Sequence, residues 1–177
     1  MARFNHVMET KETIGQEELG AIRKRHKSEK IVFTTGSFDL VHAGHILFLE
    51  DCKKQGDILV VGVGADSEVK RKGGNRPIYN EVIRLKMISS LKPVNYAFLS
   101  NRLPEEKFVD PLDRFFAALK PDVYVVNSDG GDIEERKRLT DKHNIEFVLL
   151  ERWAPKEFDN ISTTDTIDRI RNFYLKR

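Results

Sequence analysis

Cysteine is all but missing from this chain: Cys52 stands alone among 177 residues. One thiol closes no internal disulfide and builds no all-cysteine zinc site. It fits a reducing compartment. Long apolar runs are missing too. The longest, residues 58–65, has eight residues, far short of the roughly 20 a spanning helix needs. The first thirty residues hold no apolar signal core and mix Arg23, Lys24 and Arg25 with Glu17 and Glu18, whereas presequences are poor in acids. A cytoplasmic chain without a membrane partner is expected. Neither sign of charge dominates: 30 basic against 28 acidic residues leave +2, which argues against a bulk nucleic-acid binder. No internal repeat or low-complexity segment stands out.

What is there suits a globular chain. Apolar residues are 40% and charged residues 33%, too apolar for a disordered tail. The length predicts one domain able to bury about two-thirds of its unfolded surface. Residues 1–13 are polar and predicted flexible, residues 14–28 carry a lead-in helix, and residues 29–177 form the core. Short apolar strands are expected at residues 31–34, 58–64, 94–99, 122–126 and 145–150. Helical patterns fall at residues 45–55, 81–91, 104–119 (with a possible break at Pro111), 133–142 and 163–175. Strands that read as continuous apolar runs are buried on both faces, and helical crossovers imply parallel pairing. The expected fold is therefore a three-layer α/β sandwich on a five-stranded parallel sheet. Ligands in such sheets sit beyond the carboxyl ends of the strands.

The segment after the first of these strands reads Thr34-Thr35-Gly36-Ser37-Phe38-Asp39-Leu40-Val41-His42-Ala43-Gly44-His45. Gly36 lets the backbone approach a ligand, and a helix starting near Gly44 offers free N–H groups to an anion. His42 and His45 would face that anion, and imidazoles donate hydrogen bonds to phosphate. A histidine could instead cap the helix. The pair could also bind a metal, but no third ligand follows at zinc-like spacing, so a metal site is not expected.

The next strand ends at Gly64-Ala65-Asp66, and a basic loop follows, Lys70-Arg71-Lys72-Gly73-Gly74-Asn75-Arg76-Pro77. It reads either as a solvated turn or as a clamp on a polyphosphate, with Lys72 a point charge and Arg76 a bidentate grip. Arg84 could face the same site or water. Near the end, Asn160-Ile161-Ser162-Thr163-Thr164-Asp165 opens the final helix. Ser162 and Asp165 match an N-terminal cap. The same helix start could hold a β- or γ-phosphate, and Arg152 could add a cation. Phe115 and Phe116 read as core, and Cys52 as an inert core thiol. Trp153 could cover a nucleotide base or pack within its loop. The run Asn127-Ser128-Asp129-Gly130-Gly131-Asp132 could contact base, sugar or acceptor.

Three segments in order carry a resemblance: Gly36-Ser37-Phe38-Asp39 with His42-Ala43-Gly44-His45, the basic loop with Arg76-Pro77 and Arg84, and Ile161-Ser162-Thr163-Thr164. Over residues 15–175 the chain resembles cytidylyltransferase-type nucleotidyltransferases, whose fold is Rossmann-like. Within them it looks most like heptose 1-phosphate adenylyltransferase domains. Glycerol-3-phosphate cytidylyltransferases share the two main motifs, and archaeal-type FAD synthetases are similar around Leu91-Lys92-Pro93-Val94. The segment Asn127-Ser128-Asp129 lacks the lysine usual in the heptose enzymes, the loop at residues 152–160 is longer, and Ser37 replaces the usual cysteine.

The resemblance implies transfer of a nucleotidyl group from ATP or CTP to a phosphorylated acceptor. It implies magnesium carried with the nucleotide, a homodimer, and a separate sugar kinase or phosphatase upstream. A non-catalytic nucleotide sensor is the alternative. Catalytic roles fall to His42, His45, Lys72 and Arg84. Nucleotide contacts fall to Thr35, Gly36, Ser37, Phe38 and Gly44 beside the histidines, to Asp66 and Arg152, and to Ile161, Ser162, Thr163 and Thr164. Acceptor contacts fall to Asp39, Lys72, Arg76 and Asp129.

Overall fold

The computed structural model describes residues 12–71, 73, 76–103, 106, 109–151, 153–158 and 162–175. Its strands are β1 (Glu12–Thr13), β2 (Ile31–Gly36), β3 (Ile58–Gly64), β4 (Tyr96–Ser100), β5 (Val123–Asn127) and β6 (Glu146–Leu150). Its helices are α1 (Leu19–Arg25), entered through a short 3-10 turn, α2 (Ala43–Lys53), α3 (Asp66–Lys70), α4 (Glu81–Ser89), α5 (Asp110–Leu119), α6 (Ile133–His143) and α7 (Thr163–Leu175). All pairings are parallel, in the order β1-β4-β3-β2-β5-β6. The five longer strands are the expected ones. The two-residue β1 adds an unpredicted edge pairing, Glu12 with Tyr96 and Thr13 with Ala97.

The central strands β2, β3, β4 and β5 are largely apolar because both of their faces are covered, whereas the edge strand β6 carries exposed Glu146 and Leu149. Along β2, Ile31 and Phe33 face one layer and Val32 faces the other. The first layer is aromatic: Phe33 meets Phe98, Phe115, Phe116 and Tyr124 at ring-centroid distances of 5.6–6.3 Å. It is closed by Leu19 and Ile22 of α1, the apolar stripe of α5 and Leu139 of α6. The second layer is aliphatic and includes Val61, Val63, Val125, Leu49 and Cys52 of α2, and Ile88 of α4. Phe115, Phe116 and Cys52 are thus core residues, as expected, and burial pushes the Cys52 thiol well up. Among the described residues, no helix is long and apolar enough to cross a membrane.

Two boundaries differ from the sequence pattern. The helix expected from residue 104 begins at Asp110 with Pro111 in its first turn, where a missing N–H costs nothing. The short α3 was not expected; five residues carry too little periodicity to register.

Strand order reverses between β2 and β5. Their ladder pairs Val32 with Val123 and Phe33 with Tyr124. Beyond it, the Thr34 hydroxyl donates to the Val125 carbonyl at 2.8 Å. The loops after Gly36 and Asn127 leave on opposite sides of this point, and that opens a crevice.

Candidate functional site

A cavity of about 740 Å³ fills the crevice. That is the size range of small-molecule sites.

Its floor is the turn after β2. At Gly36 a Cβ would fall 2.8 Å from the Phe38 ring, so a side chain there would displace that ring. Phe38 and Leu40 take left-handed backbone at φ 50° and 49°, which costs about 1 kcal/mol or more at each non-glycine residue. Long-range bonds hold the turn in that shape. Asp39 is buried, and its carboxylate accepts from Ile78 N–H at 2.9 Å and Tyr79 N–H at 3.1 Å. The Asp39 carbonyl accepts from the Thr163 hydroxyl at 2.7 Å. Arg84, wholly buried, donates to Ser37 O at 2.5 Å, Tyr79 O at 2.9 Å and Asp66 Oδ1 at 2.8 Å.

His42 is the residue before the first turn of α2, extended at φ −137°. Its N–H donates to His45 Nδ1 at 3.3 Å, and its carbonyl accepts from His45 N–H at 2.9 Å. An accepting Nδ1 leaves the proton of a neutral His45 ring on Nε2. The two imidazoles stack with centroids 3.9 Å apart, and Phe38 packs edge-on against His45 at 5.5 Å. Both rings line the cavity, at the positive end of an eleven-residue helix.

The N-terminus of α7 closes another side. Ser162 Oγ accepts from Asp165 N–H at 3.0 Å and donates to Asp165 Oδ2 at 2.6 Å, so the expected cap is formed. Thr164 Oγ1 accepts from Arg76 at 3.0 Å, which ties the basic loop to this helix.

The opposite rim is the turn after β5. Gly130 has no room for a side chain, since a Cβ would lie 2.8 Å from Val126 Cγ1 and 2.9 Å from Asn127 O. Arg136 of α6 donates to Gly131 O at 2.7 Å and reaches the Tyr124 hydroxyl and, at 3.4 Å, Thr35 Oγ1. Trp153 stands on this rim about half exposed, its indole N–H donating to Asp51 Oδ2 at 2.7 Å. Burial raises the Asp51 carboxyl, but hydrogen bonds from Lys54 and Trp153 outweigh that and leave it below the ordinary range. At the far end, Arg102 pairs with Glu68 at 2.9 Å beside Ser100.

The structure brings most of the predicted residues to this one cavity. Thr35, Gly36, Ser37, Phe38, Asp39, His42, Gly44 and His45 line it from the β2 turn. Arg76, Asp129, Ser162, Thr163 and Thr164 line it from the other walls. Lys72, Arg152 and Ile161 lie outside the described residues.

Two of the predicted residues, Arg84 and Asp66, lie apart from the cavity lining. Arg84 does not reach into the cavity, because it spends its guanidinium beneath the turn on two carbonyls and Asp66. Asp66 is that partner and does not line the cavity. Asp39, expected on the acceptor, lines the cavity with its carboxylate already accepting the Ile78 and Tyr79 amides that its burial demands. Arg136 was missed. It lies in a helix crowded with charge, where nothing local sets one arginine apart. Trp153 is resolved toward the cavity rather than toward packing within its loop.

Comparison with known proteins agrees with this geometry. Residues 33–169 match the family described as cytidylyltransferase-like. The bifunctional protein HldE of Aliarcobacter butzleri is 36% identical over 153 residues, covering 85% of this chain and 29% of that protein. HldE of Helicobacter pylori is 42% identical over 105 residues, covering 59% and 21%. The chain thus spans less than a third of the curated relatives it matches. Among solved structures, a lipopolysaccharide core biosynthesis protein from Thermoplasma volcanium is similar at 33% identity and TM-score 0.58, over 73% of this chain and all of that one. A pantoate-beta-alanine ligase from Francisella tularensis, at 14% identity and TM-score 0.59 over 94% of this chain and 80% of that one, shares the fold alone. With the family matched across most of its length and the histidine turn, the helix starts and the switch point assembled around one cavity, the chain belongs to the cytidylyltransferase-like family and is a nucleotidyltransferase.

Proposed function

We propose that this enzyme moves a nucleoside monophosphate from an NTP to a sugar 1-phosphate, with heptose 1-phosphate and ATP the preferred pair. The carrying observation is the stacked His42–His45 pair at the start of α2, facing a cavity that the start of α7 also borders. The HldE relatives and the likeness to heptose 1-phosphate adenylyltransferase domains support the acceptor.

In this reading an acceptor phosphate oxygen attacks the α-phosphorus in line. The new P–O bond forms as the bond to the bridging oxygen breaks, and pyrophosphate leaves with that electron pair. No protein nucleophile takes part. Positioning and charge stabilisation supply the acceleration. His45 donates from Nε2 to the α-phosphate or the leaving oxygen, and His42 shares that task from its stacked position. Thr164 and Arg76 hold the outer phosphates, and Lys72 adds a point charge. The nucleotide enters as its magnesium complex, the ion held by phosphate oxygens and water.

The test is pyrophosphate release with magnesium, crossing ATP, CTP and GTP with heptose 1-phosphate, other sugar 1-phosphates, glycerol 3-phosphate and FMN. Release with ATP and heptose 1-phosphate, abolished in His42→Ala, is expected. Release only with glycerol 3-phosphate or FMN transfers the enzyme to that acceptor. Tight nucleotide binding with no release anywhere makes it a sensor.

A further inference from the structure

From the histidine pair and the start of α7, the cavity runs two ways. On the side of β4 its lining includes the Arg102–Glu68 pair, a charged wall. On the side of β5 and β6 its lining includes Trp153, Ala154 and Phe158. Trp153 is 53% exposed and Phe158 41%. A nucleotide anchored by its phosphates at the centre has one planar apolar part to place, its base. The aromatic end offers a matching plane.

The indole is also held in place. Its N–H, which needs a hydrogen-bond partner wherever water is excluded, is engaged by Asp51 on α2 at 2.7 Å. Asp51 lies two helical turns beyond Gly44, so the bond ties the β6 rim to the helix that presents the histidines. An indole pinned at its polar edge keeps its faces for stacking. Aromatic stacking on a base is indifferent to base identity.

We infer that Trp153 is the base-stacking residue of the nucleotide site and that Asp51 is the positioning residue that orients its indole. This rests on the nucleotidyl-transfer reading but concerns binding of the nucleotide before any acceptor is present.

Trp153 is the only tryptophan of the chain, so its fluorescence reports this site alone. The experiment titrates the intact protein with magnesium ATP and, separately, with magnesium tripolyphosphate, which has the phosphates and no base. ATP is expected to quench the emission saturably. Tripolyphosphate is expected to compete with ATP in calorimetry yet leave the emission unchanged. Trp153→Ala should weaken ATP binding at least about fivefold, Trp153→Phe should restore most of it, and tripolyphosphate affinity should not move in either. Asp51→Ala should weaken ATP binding by a smaller factor and reduce the quench. Equal quenching by tripolyphosphate, or an ATP affinity unchanged in Trp153→Ala, overturns the assignment while leaving the parent reading intact. Quenching by heptose 1-phosphate in place of ATP does the same. Failure of both ATP and tripolyphosphate to bind overturns the parent reading as well.

Discussion

On one side of the cavity, the turn after β2 is strapped from beneath by Arg84, from the side by Asp39 and from above by Thr163. On the other, the turn after β5 closes on itself through Gly130 N–H and Asn127 O at 2.8 Å and leans on Arg136. The first presents the histidines. It keeps two non-glycine residues in left-handed backbone, against one, Asp132, on the other rim, and such strain persists only where surrounding structure over-determines it. The second presents groups able to meet a base or a sugar. Groups that must meet a developing charge need fixed geometry, whereas groups that grip a ground state tolerate adjustment.

The contrast can be broken or sharpened by measurement. The largest effect is expected at the histidines: His42→Ala or His45→Ala lowers turnover at least about a hundredfold without loss of secondary structure, read by pyrophosphate release and circular dichroism. Next is the strap beneath them. Arg84→Leu removes a buried cation and strands two carbonyls and Asp66. It should destabilise the fold by about 3 kcal/mol and lower turnover together, read by denaturant unfolding and initial rates. An Arg84→Leu enzyme of full stability and reduced turnover would return Arg84 to the catalytic group. On the other rim, Arg136→Ala should raise KM severalfold, with the melting temperature moving by no more than about 3 °C. A collapse of stability there would erase the difference between the rims.

The smallest effect lies outside both rims and serves as a control. Hydrogen bonds from Lys142 and His143 hold the Asp113 carboxyl below its ordinary range. A carboxyl depressed on folding contributes stability above its unfolded value of 3.8 and loses it as pH falls through the lower folded value. Asp113→Asn should therefore cost up to about 1 kcal/mol at neutral pH and almost nothing once the native carboxyl is protonated, read as the pH dependence of unfolding.

The sheet is legible in the sequence because its signal is local: β2 opens on the apolar run Ile31-Val32-Phe33 and β3 is apolar almost throughout, and the two end at Gly36 and Gly64. The histidine turn was legible because a glycine, two histidines and a helix start fall within ten residues. Arg84 was not. On a helix it reads as a solvent-facing or site-facing cation, and its burial depends on Ser37, 47 residues away. Arg136 depends on Tyr124 and Thr35, the latter 101 residues distant. Trp153 had two readings until Asp51, 102 residues back, was seen to hold its indole. Polar roles set by distant partners leave no local pattern.

The reversal of strand order between β2 and β5 also governs how the enzyme comes into being. Val32 and Val123, paired across that junction, are 91 residues apart in sequence. The β2–β3–β4 half can pair as it emerges from the ribosome, but the crevice has one wall until β5 arrives. The histidine turn is thus synthesised long before its cavity exists, and closing that late, long-range contact is the step expected to limit folding.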